Sequence, residues 1–172
     1  RGYPPTAIRN FCERIGIGKR ENIVDIGLLE FFVREDLNKL SQRVMAVLDP
    51  IKLTISNYED GKSEDLVIEN NPENEEDGKR IVPFSKHLWI ERDDFKEEAN
   101  KKWFRLAPGK VARLKGAYIV RCTDFKKDEN GNVTEVICEY IPESKSGQDT
   151  SGIKAKGTMH WVSSEHAEKA EV

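Results

Sequence analysis

The first 42 residues carry apolar side chains at helical spacing. A first stripe, with spacing i, i+3, i+4 and i+7, comprises Ile8, Phe11, Cys12 and Ile15. Thr6 before this stripe is a favourable N-cap, and Gly16 after it is a typical helix stop. A second stripe comprises Leu29, Val33, Leu37, Leu40 and Val44. These patterns predict one helix that ends at Gly16 and a longer one over about residues 22–42.

After Gln42 the helical period ends and short β patterns follow. The continuous apolar run 44–48, closed by Asp49-Pro50, is typical of a buried strand. Alternating or β-branched stretches predict further strands at 52–56, 66–68, 87–90, 117–122, 133–140 and 158–162. The Asn130-Gly131 step predicts a hairpin between two of them. Several short strands separated by turns indicate a barrel or sandwich and not a parallel sheet, in a mainly β chain with an N-terminal helical segment (α+β).

Composition excludes several classes of protein. With 28 Lys and Arg against 31 Asp and Glu, the net charge is −3, so the chain as a whole is not basic. It contains no apolar run of membrane-spanning length and no secretory signal pattern, so we expect a cytoplasmic protein with no membrane partner. The three Cys are widely spaced and the three His lack ligand spacing, so we predict no disulfide framework, no metal site and no catalytic residue.

Charge is unevenly distributed along the β region. Residues 57–79 sum to −7, which is typical of a solvated surface loop, whereas residues 96–115 sum to +5. Trp103 and Phe104 lie among these cations, and Tyr118 follows them. Cations neutralise phosphates and aromatic rings stack on unpaired bases, so the composition fits a contact with single-stranded RNA or DNA. An exposed basic helix and turn would have the same composition.

Arg113 and Lys115 are two residues apart. On a strand they would share one face with Val111, while Ala112 and Leu114 would point to the other. Two neighbouring cationic donors can clamp a base edge or a phosphate. They can equally form the solvent side of an amphipathic strand, and nothing local in the sequence decides between the two.

Seven segments carry motifs in a fixed order. They include Arg1-Gly2-Tyr3-x-Pro5 continuing to Gly16, Arg34–Asn38, Arg43-x-Met45-Ala46-Val47 continuing to Leu53, Val82–Ser85, Trp89–Lys101, Gly109–Leu114 and Lys156–Ser163. Together they resemble glutaminyl-tRNA synthetases, a family of class I aminoacyl-tRNA synthetases, from just beyond the catalytic domain into the anticodon-binding part. The resemblance spans essentially the whole chain.

The resemblance implies a helical connector over residues 1–43, followed by an antiparallel anticodon-binding β-barrel region over 44–172 that is truncated at its C-terminal end. It implies tRNA(Gln) and an upstream catalytic domain as partners, in a cytoplasmic monomer. That catalytic domain would use ATP to ligate glutamine to the tRNA. The family's ATP-binding signatures, a His-Ile-Gly-His type motif and a Met-Ser-Lys type loop, do not occur in these residues. We therefore expect a ligase fragment that is inactive alone and holds no cofactor of its own.

The resemblance also assigns anticodon-binding residues. The set is Arg43, Lys101, Lys102, Arg105, Arg113 and Lys115, with Phe104 and Tyr118 as candidates for base stacking. Arg43 matches an arginine that reads the central uridine, although an arginine at a helix end can also be purely structural. Arg105 matches one that contacts the third base, a guanine.

Three positions of this set depart from the family. Arg113 matches one of two arginines near the first anticodon base, and the second of these is Lys115 here, which keeps the charge but lacks the planar fork. Lys102 stands where relatives can have glutamine, and Phe104 stands where they can have lysine. The family pattern therefore does not determine the shape of the pocket around Arg105.

Two other functions fit the same residues. A related glutamyl-tRNA synthetase shares the barrel architecture and differs in an amino-acid pocket that lies upstream. A stand-alone RNA-binding or protein-interaction barrel would need its own start codon and a closed barrel, and the Arg1 start argues against it.

Overall fold

The structure is a computed structural model that describes residues 2–171. Arg1 and Val172, at the ends of the predicted domain ranges, lie outside the described residues, and Arg1 also opens the first family-like segment. The chain forms two compact units. The helical unit contains the residues up to Val44 together with Glu69–Lys79, and the sheet unit contains Met45–Ile68 together with the residues from Arg80 onward. The predicted ranges 1–43 and 44–172 place Glu69–Lys79 in the β region, whereas in the structure this segment groups with the helices.

Two helices form most of the helical unit: α1, Pro5–Ile15, and α2, Ile26–Leu40. The predicted helix stop at Gly16 is confirmed. Gly16 has a φ of 67°, and its N–H donates to the Cys12 carbonyl. The predicted Thr6 cap is wrong, since α1 begins at Pro5 and Thr6 lies inside the helix. Proline has a helical φ and no N–H to cap, which suits it to the first position of a helix.

The segment Glu69–Lys79 is more than the solvated loop that its charge predicts. Asn71 is only 2% exposed. Its side-chain amide donates to the carbonyls of Asn38 and Lys39, at 3.1 and 3.2 Å, and so satisfies the last turn of α2. A 3-10 turn follows at Glu75–Asp77, with the Asn74 side chain accepting at its start. Part of the acidic run therefore closes the C-terminal end of α2.

Nine strands follow in chain order. They are β1 Pro50–Ile55, β2 Ser63–Glu69, β3 Lys79–Ser85, β4 His87–Glu91, β5 Val111–Leu114, β6 Ile119–Lys127, β7 Val133–Ile141, β8 Thr158–Met159 and β9 Val162–Ser163. Seven of them form one sheet in the order β8-β5-β6-β7-β1-β4-β9, and β2 pairs with β3. The α+β class and the hairpin between β6 and β7 are confirmed. The pairing is not wholly antiparallel, because β1–β7 and β5–β8 are parallel and are joined by long connections.

The two edges of this sheet are formed by almost consecutive residues. Met159 on β8 pairs with Leu114 on β5, and Val162 on β9 pairs with Trp89 on β4. Three residue steps span at most about 11 Å, so the edges must approach each other and the sheet curls into a half-barrel. Trp161, between the two edge strands, is 0% exposed, and its indole N–H donates to the Lys115 carbonyl at 3.0 Å.

The core of the sheet unit lies inside this curl. The inward side chains of β1 are Ile51, Leu53 and Ile55, all at most 1% exposed. The Phe84 ring contacts the rings of Tyr58, Tyr118 and Trp161, with centroids 5.2 to 5.5 Å apart. These aromatic contacts tie the joint between β8 and β9 to the rest of the core.

The apolar run 44–48 does not form the predicted buried strand. Val44 is 74% and Leu48 71% exposed, and only Met45 packs against the core. The amides of Leu48 and Asp49 donate to the carboxylate of Glu91, at 2.7 and 3.0 Å. A side chain thus takes the place that a neighbouring strand would fill, and the run stays irregular.

No helix within residues 2–171 is long and apolar enough to cross a membrane. In the same residues, His, Cys, Asp and Glu form no group of three that could hold a metal ion. Cys122 and Cys138 are buried free thiols on facing positions of β6 and β7, and Cys12 is exposed.

Glu135 links three strands of the sheet. From β7 its carboxylate accepts from Lys126 on β6 at 2.7 Å and from Thr54 on β1 at 2.5 Å, and Lys52 lies 3.5 Å away. The hydrogen bonds from Lys126 and Thr54, with the charge of Lys52, lower the pKa of Glu135 from 4.5 to about 2.

We expect Glu135→Gln to flatten the acid dependence of stability. A folded-state pKa below the unfolded value gives stability that is complete above about pH 5 and is lost as the pH falls from 4.5 towards 2. The variant should lose about 1–2 kcal/mol at pH 7, after allowing for solvent screening of the lysines, and much less at pH 2.5. Urea unfolding at both pH values measures this, with the exposed Glu139→Gln on the same strand as control. An equal loss at both pH values would contradict it.

We expect Trp161→Phe to destabilise the sheet unit by about 2–3 kcal/mol, because it leaves a cavity and an unpaired Lys115 carbonyl. Denaturant unfolding followed by circular dichroism measures the loss. Trp89→Phe is the control, because Trp89 pairs with Val162 beside the same joint but its side chain is only half-buried and leaves no core cavity. A loss no larger than that of the control would show that Trp161 does not hold the joint.

Candidate RNA-binding surface

The basic segment 96–115 belongs to the sheet unit and contains no helix. Residues 96–110 form turns, and β5 follows. Two backbone bonds hold its first part: Leu106 N–H donates to the Asp94 carbonyl at 3.0 Å, and Lys96 N–H donates to the Leu106 carbonyl at 3.1 Å. Phe95 and Leu106, both buried, anchor these two stretches in the core. Of the alternative, an exposed basic helix and turn, the helix is therefore wrong and the exposed turn is present, and the cations lie on an anchored loop.

Lys101 and Lys102 occupy an exposed turn of this loop. The turn is set by Asn100, whose side-chain oxygen accepts from the Lys102 N–H at 2.9 Å. The Asn100 carbonyl accepts from the Lys110 ammonium at 3.3 Å. Both lysines are thus presented to solvent by a defined backbone.

The two aromatic side chains of the loop each lie under a cation. The Lys96 ammonium is 4.1 Å from the centroid of the Trp103 ring, and the Trp103 indole donates to the Leu106 carbonyl at 2.9 Å. The Lys156 ammonium is 5.2 Å from the Phe104 ring, which is 46% exposed. Phe104 is therefore the aromatic ring of this loop that remains accessible to a base.

Gly157 brings the loop and β5 together. A Cβ on Gly157 would lie 1.8 Å from the Phe104 carbonyl oxygen, so only glycine allows this approach. The Gly157 carbonyl accepts from the Arg113 N–H at 2.9 Å. The structure thus brings Phe104, Lys156 and the backbone of Arg113 side by side.

Arg105 forms an ion pair with Asp94. The Asp94 carboxylate is 0% exposed, whereas the Arg105 side chain is 49% exposed. The guanidinium is therefore held on one side by a buried charge and is open to solvent on the other.

Arg113 and Lys115 are both half-buried. β5 alternates as predicted, with Ala112 and Leu114 buried and Arg113 on the opposite face. The Arg113 guanidinium donates to the Ser144 carbonyl at 2.8 Å and pairs with Asp149, which leaves its side chain 22% exposed. Lys115 is half-buried just after the strand. The outer face of β5 is therefore covered in part by the loop 144–149.

The structure does not support base stacking by Tyr118. Its side chain is 6% exposed, and its ring packs against those of Phe84 and Tyr140. Its hydroxyl donates to Glu64 at 2.7 Å, and burial together with this bond raises its pKa. Tyr118 is therefore a core residue. The β-branched residues that follow it in the sequence predict a strand and not a binding surface.

Arg43 lies in the helical unit, beyond the end of α2. Its N–H donates to the Asn70 carbonyl at 2.7 Å, and its guanidinium pairs with Glu73 at 2.6 Å. The side chain is 33% exposed. Its ionic partner is thus a carboxylate of the acidic segment and not a helix-end carbonyl.

Sequence reasoning missed the partners of the cationic residues. Asp94 and Lys156 both lie in family-like segments, but neither was assigned a role. Asp149 lies in a polar stretch, 144–152, whose sequence shows nothing about Arg113. These pairings join residues 11 to 52 positions apart, so no local pattern could have shown them.

We expect Gly157→Ala to destabilise the chain by about 1–3 kcal/mol, because the new methyl group must push the Phe104 backbone away. Thermal unfolding measures this loss. Gly18→Ala is the matched control: its Cβ would meet its nearest neighbour at 3.4 Å, an ordinary contact, so its effect should stay within about 0.5 kcal/mol. Equal effects of the two substitutions would contradict the close approach of Gly157 to Phe104.

Comparison with known proteins identifies the family of this surface. Residues 41–141 match the family model described as "tRNA synthetases class I (E and Q), anti-codon binding domain". The chain is 54% identical over 171 residues to a glutamine–tRNA ligase of Clostridium perfringens, a match that covers 99% of the chain and 31% of the relative. It is 56% identical over 172 residues to one of Rhodopirellula baltica, covering 100% of the chain and 29% of the relative.

The chain thus spans about 30% of the length of these curated relatives. The resemblance found in the seven sequence segments is confirmed, because the matches extend over essentially the whole chain. The chain belongs to the anticodon-binding domain family of the class I tRNA synthetases for glutamate and glutamine.

Proposed function

We propose that this chain reads the anticodon loop of tRNA(Gln) as part of a glutamine–tRNA ligase. The observation that carries the proposal is the anchored basic loop of the sheet unit, where an accessible aromatic ring, exposed lysines and a half-exposed arginine lie on one short segment. The relatives are glutamine–tRNA ligases, which indicates the amino acid.

The side chains divide by chemistry into two groups. Lys101 and Lys102 are compact, exposed charges suited to phosphates, so they contribute affinity without sequence preference. Arg105 has a planar fork of donors that matches the O6 and N7 acceptors of guanine, the third anticodon base. Phe104, with Lys156 near its ring, offers a stacking surface to an unpaired base.

The remaining assigned residues are already engaged. Arg43 would read the central uridine by exchanging its bond to Glu73 for one to the base. Arg113 would exchange Asp149 in the same way near the first base, with Lys115 beside it supplying charge only. Each exchange gives up an ion pair within the chain for a contact with the RNA, so these contacts favour selectivity over tight binding.

Activation of glutamine with ATP and its transfer to tRNA would belong to an upstream catalytic domain. This chain would then be a cytoplasmic, monomeric part that is inactive alone and binds RNA weakly. A glutamyl-tRNA synthetase is the second candidate, because the family description covers both amino acids.

We expect base-reading and phosphate-binding residues to respond differently to substitution. The probe is a fluorescein-labelled stem-loop carrying the 5′-CUG-3′ anticodon of tRNA(Gln), compared with one in which the third base is adenine. Arg105→Lys should cost about 1–3 kcal/mol of binding free energy on the cognate stem-loop, because the ammonium lacks the planar fork of donors. It should cost little on the stem-loop with adenine as third base. Lysine is used because alanine would leave the buried Asp94 carboxylate unpaired.

Lys101→Ala is the matched control on the same loop. It should weaken both stem-loops equally and lower the salt slope by about one. Arg43→Ala should likewise weaken binding of the cognate stem-loop. It should have little effect on a stem-loop in which the central uridine is changed. Equal losses on cognate and changed anticodons for the arginine variants would contradict base reading, and stronger binding of a glutamate anticodon loop would favour the second candidate.

A further inference from the structure

The Asp94 carboxylate is a buried charge with one ionic partner. It lies at the end of the 3-10 turn Arg92–Asp94 that follows β4, and it is 0% exposed. Among residues 2–171, the Arg105 guanidinium is the only group that pairs with it, and neither carboxylate oxygen has a further hydrogen-bond donor. A buried carboxylate without a cation is strongly unfavourable, so Arg105 cannot swing away at no cost.

The backbone on both sides fixes this pair. Leu106 N–H donates to the Asp94 carbonyl, Lys96 N–H donates to the Leu106 carbonyl, and Phe95 forms a bridge with Leu106. The residues next to Asp94 and Arg105 are core residues, with Phe95 7% and Leu106 0% exposed. Neither partner of the ion pair is therefore carried by a mobile stretch of chain.

A guanidinium has five N–H donors in one rigid plane. Asp94 is fully buried and pairs with one edge nitrogen of this group, Nη1, while about half of the Arg105 side chain stays exposed. The donors that face solvent are thus held in one orientation before any ligand arrives. Ordering a flexible arginine is a cost that binding otherwise has to meet.

We infer that Asp94 is a positioning residue for base recognition: it holds the Arg105 fork in the orientation that accepts the third anticodon base. The inference rests on the proposed function, because it assumes that Arg105 reads this base. Asp94 itself is buried and would not touch the RNA. Its effect on specificity would pass through Arg105 alone.

A double-mutant cycle tests this coupling with the two stem-loops used above. Asp94→Asn keeps the shape and removes the charge, and it should reduce the ratio of the two dissociation constants about 3- to 10-fold, the value of an ordered side chain. In the Arg105→Lys background, Asp94→Asn should leave the remaining ratio unchanged. Lys101→Ala combined with Asp94→Asn is the control, in which the two effects should add.

The outcomes separate the two proposals. If the wild-type chain does not distinguish guanine from adenine at the third position, the proposed base reading fails. If the wild type and Arg105→Lys behave as proposed but Asp94→Asn keeps the full ratio, only the positioning role is overturned. If Asp94→Asn weakens the binding of both stem-loops equally, the role of Asp94 is structural. That result would also overturn the positioning role.

A measurement on the unaltered chain covers the case in which Asp94→Asn fails to fold. In 15N-labelled protein without RNA, the Nε–H group of Arg105, assigned by its loss in Arg105→Lys, should show a rigid heteronuclear NOE. Arg121, exposed on β6, is the comparison. Equal mobility of the two arginines would show that Arg105 is not held before RNA binds, and the inference would be wrong.

Discussion

The sheet unit depends on the short joint between its two edge strands. Because only His160 and Trp161 separate β8 from β9, opposite edges of a seven-stranded sheet are held within a few residues of each other. That constraint creates the enclosed core, in which Phe84 contacts Trp161. It also sets the position of Gly157, two residues before the edge pair Leu114–Met159, and with it the place where the basic loop meets β5. The candidate surface is thus a consequence of how the sheet is joined.

The candidate arginines of both units are balanced by the chain's own acids. Arg43, Arg105 and Arg113 each pair with a carboxylate, and the chain carries a net charge of −3. Such pairing lowers the gain from binding a phosphate, since one ionic bond replaces another. The same ion pairs fix the orientation of each guanidinium. The exposed lysines, in contrast, contribute long-range attraction that salt screens.

Local patterns predicted the fold class and one hairpin but not the long-range pairing of strands. Both helices, the hairpin at Asn130-Gly131 and most strands follow from periodicity and turn chemistry, which act over a few residues. The strand predicted over 44–48 does not form, and at its end Glu91, more than 40 residues away, accepts from the amides of Leu48 and Asp49. The parallel pair β1–β7 joins residues more than 80 positions apart and has no local signal. The same limit applies to the site: charge and aromatic content indicated the basic loop, whereas Asp94, Asp149 and the burial of Tyr118 depend on the tertiary fold.

The sheet order has a consequence for synthesis on the ribosome. The β6–β7 hairpin is local and can form as soon as its residues emerge, since antiparallel neighbours close a short loop. β4, by contrast, must wait for β9, which is made more than 70 residues later. Until then Leu88 and Ile90 lie on a strand whose outer edge has no neighbour. The nascent chain therefore carries an open β edge while the residues between β4 and β9 are made, a state that favours contact with chaperones or with other unfolded chains.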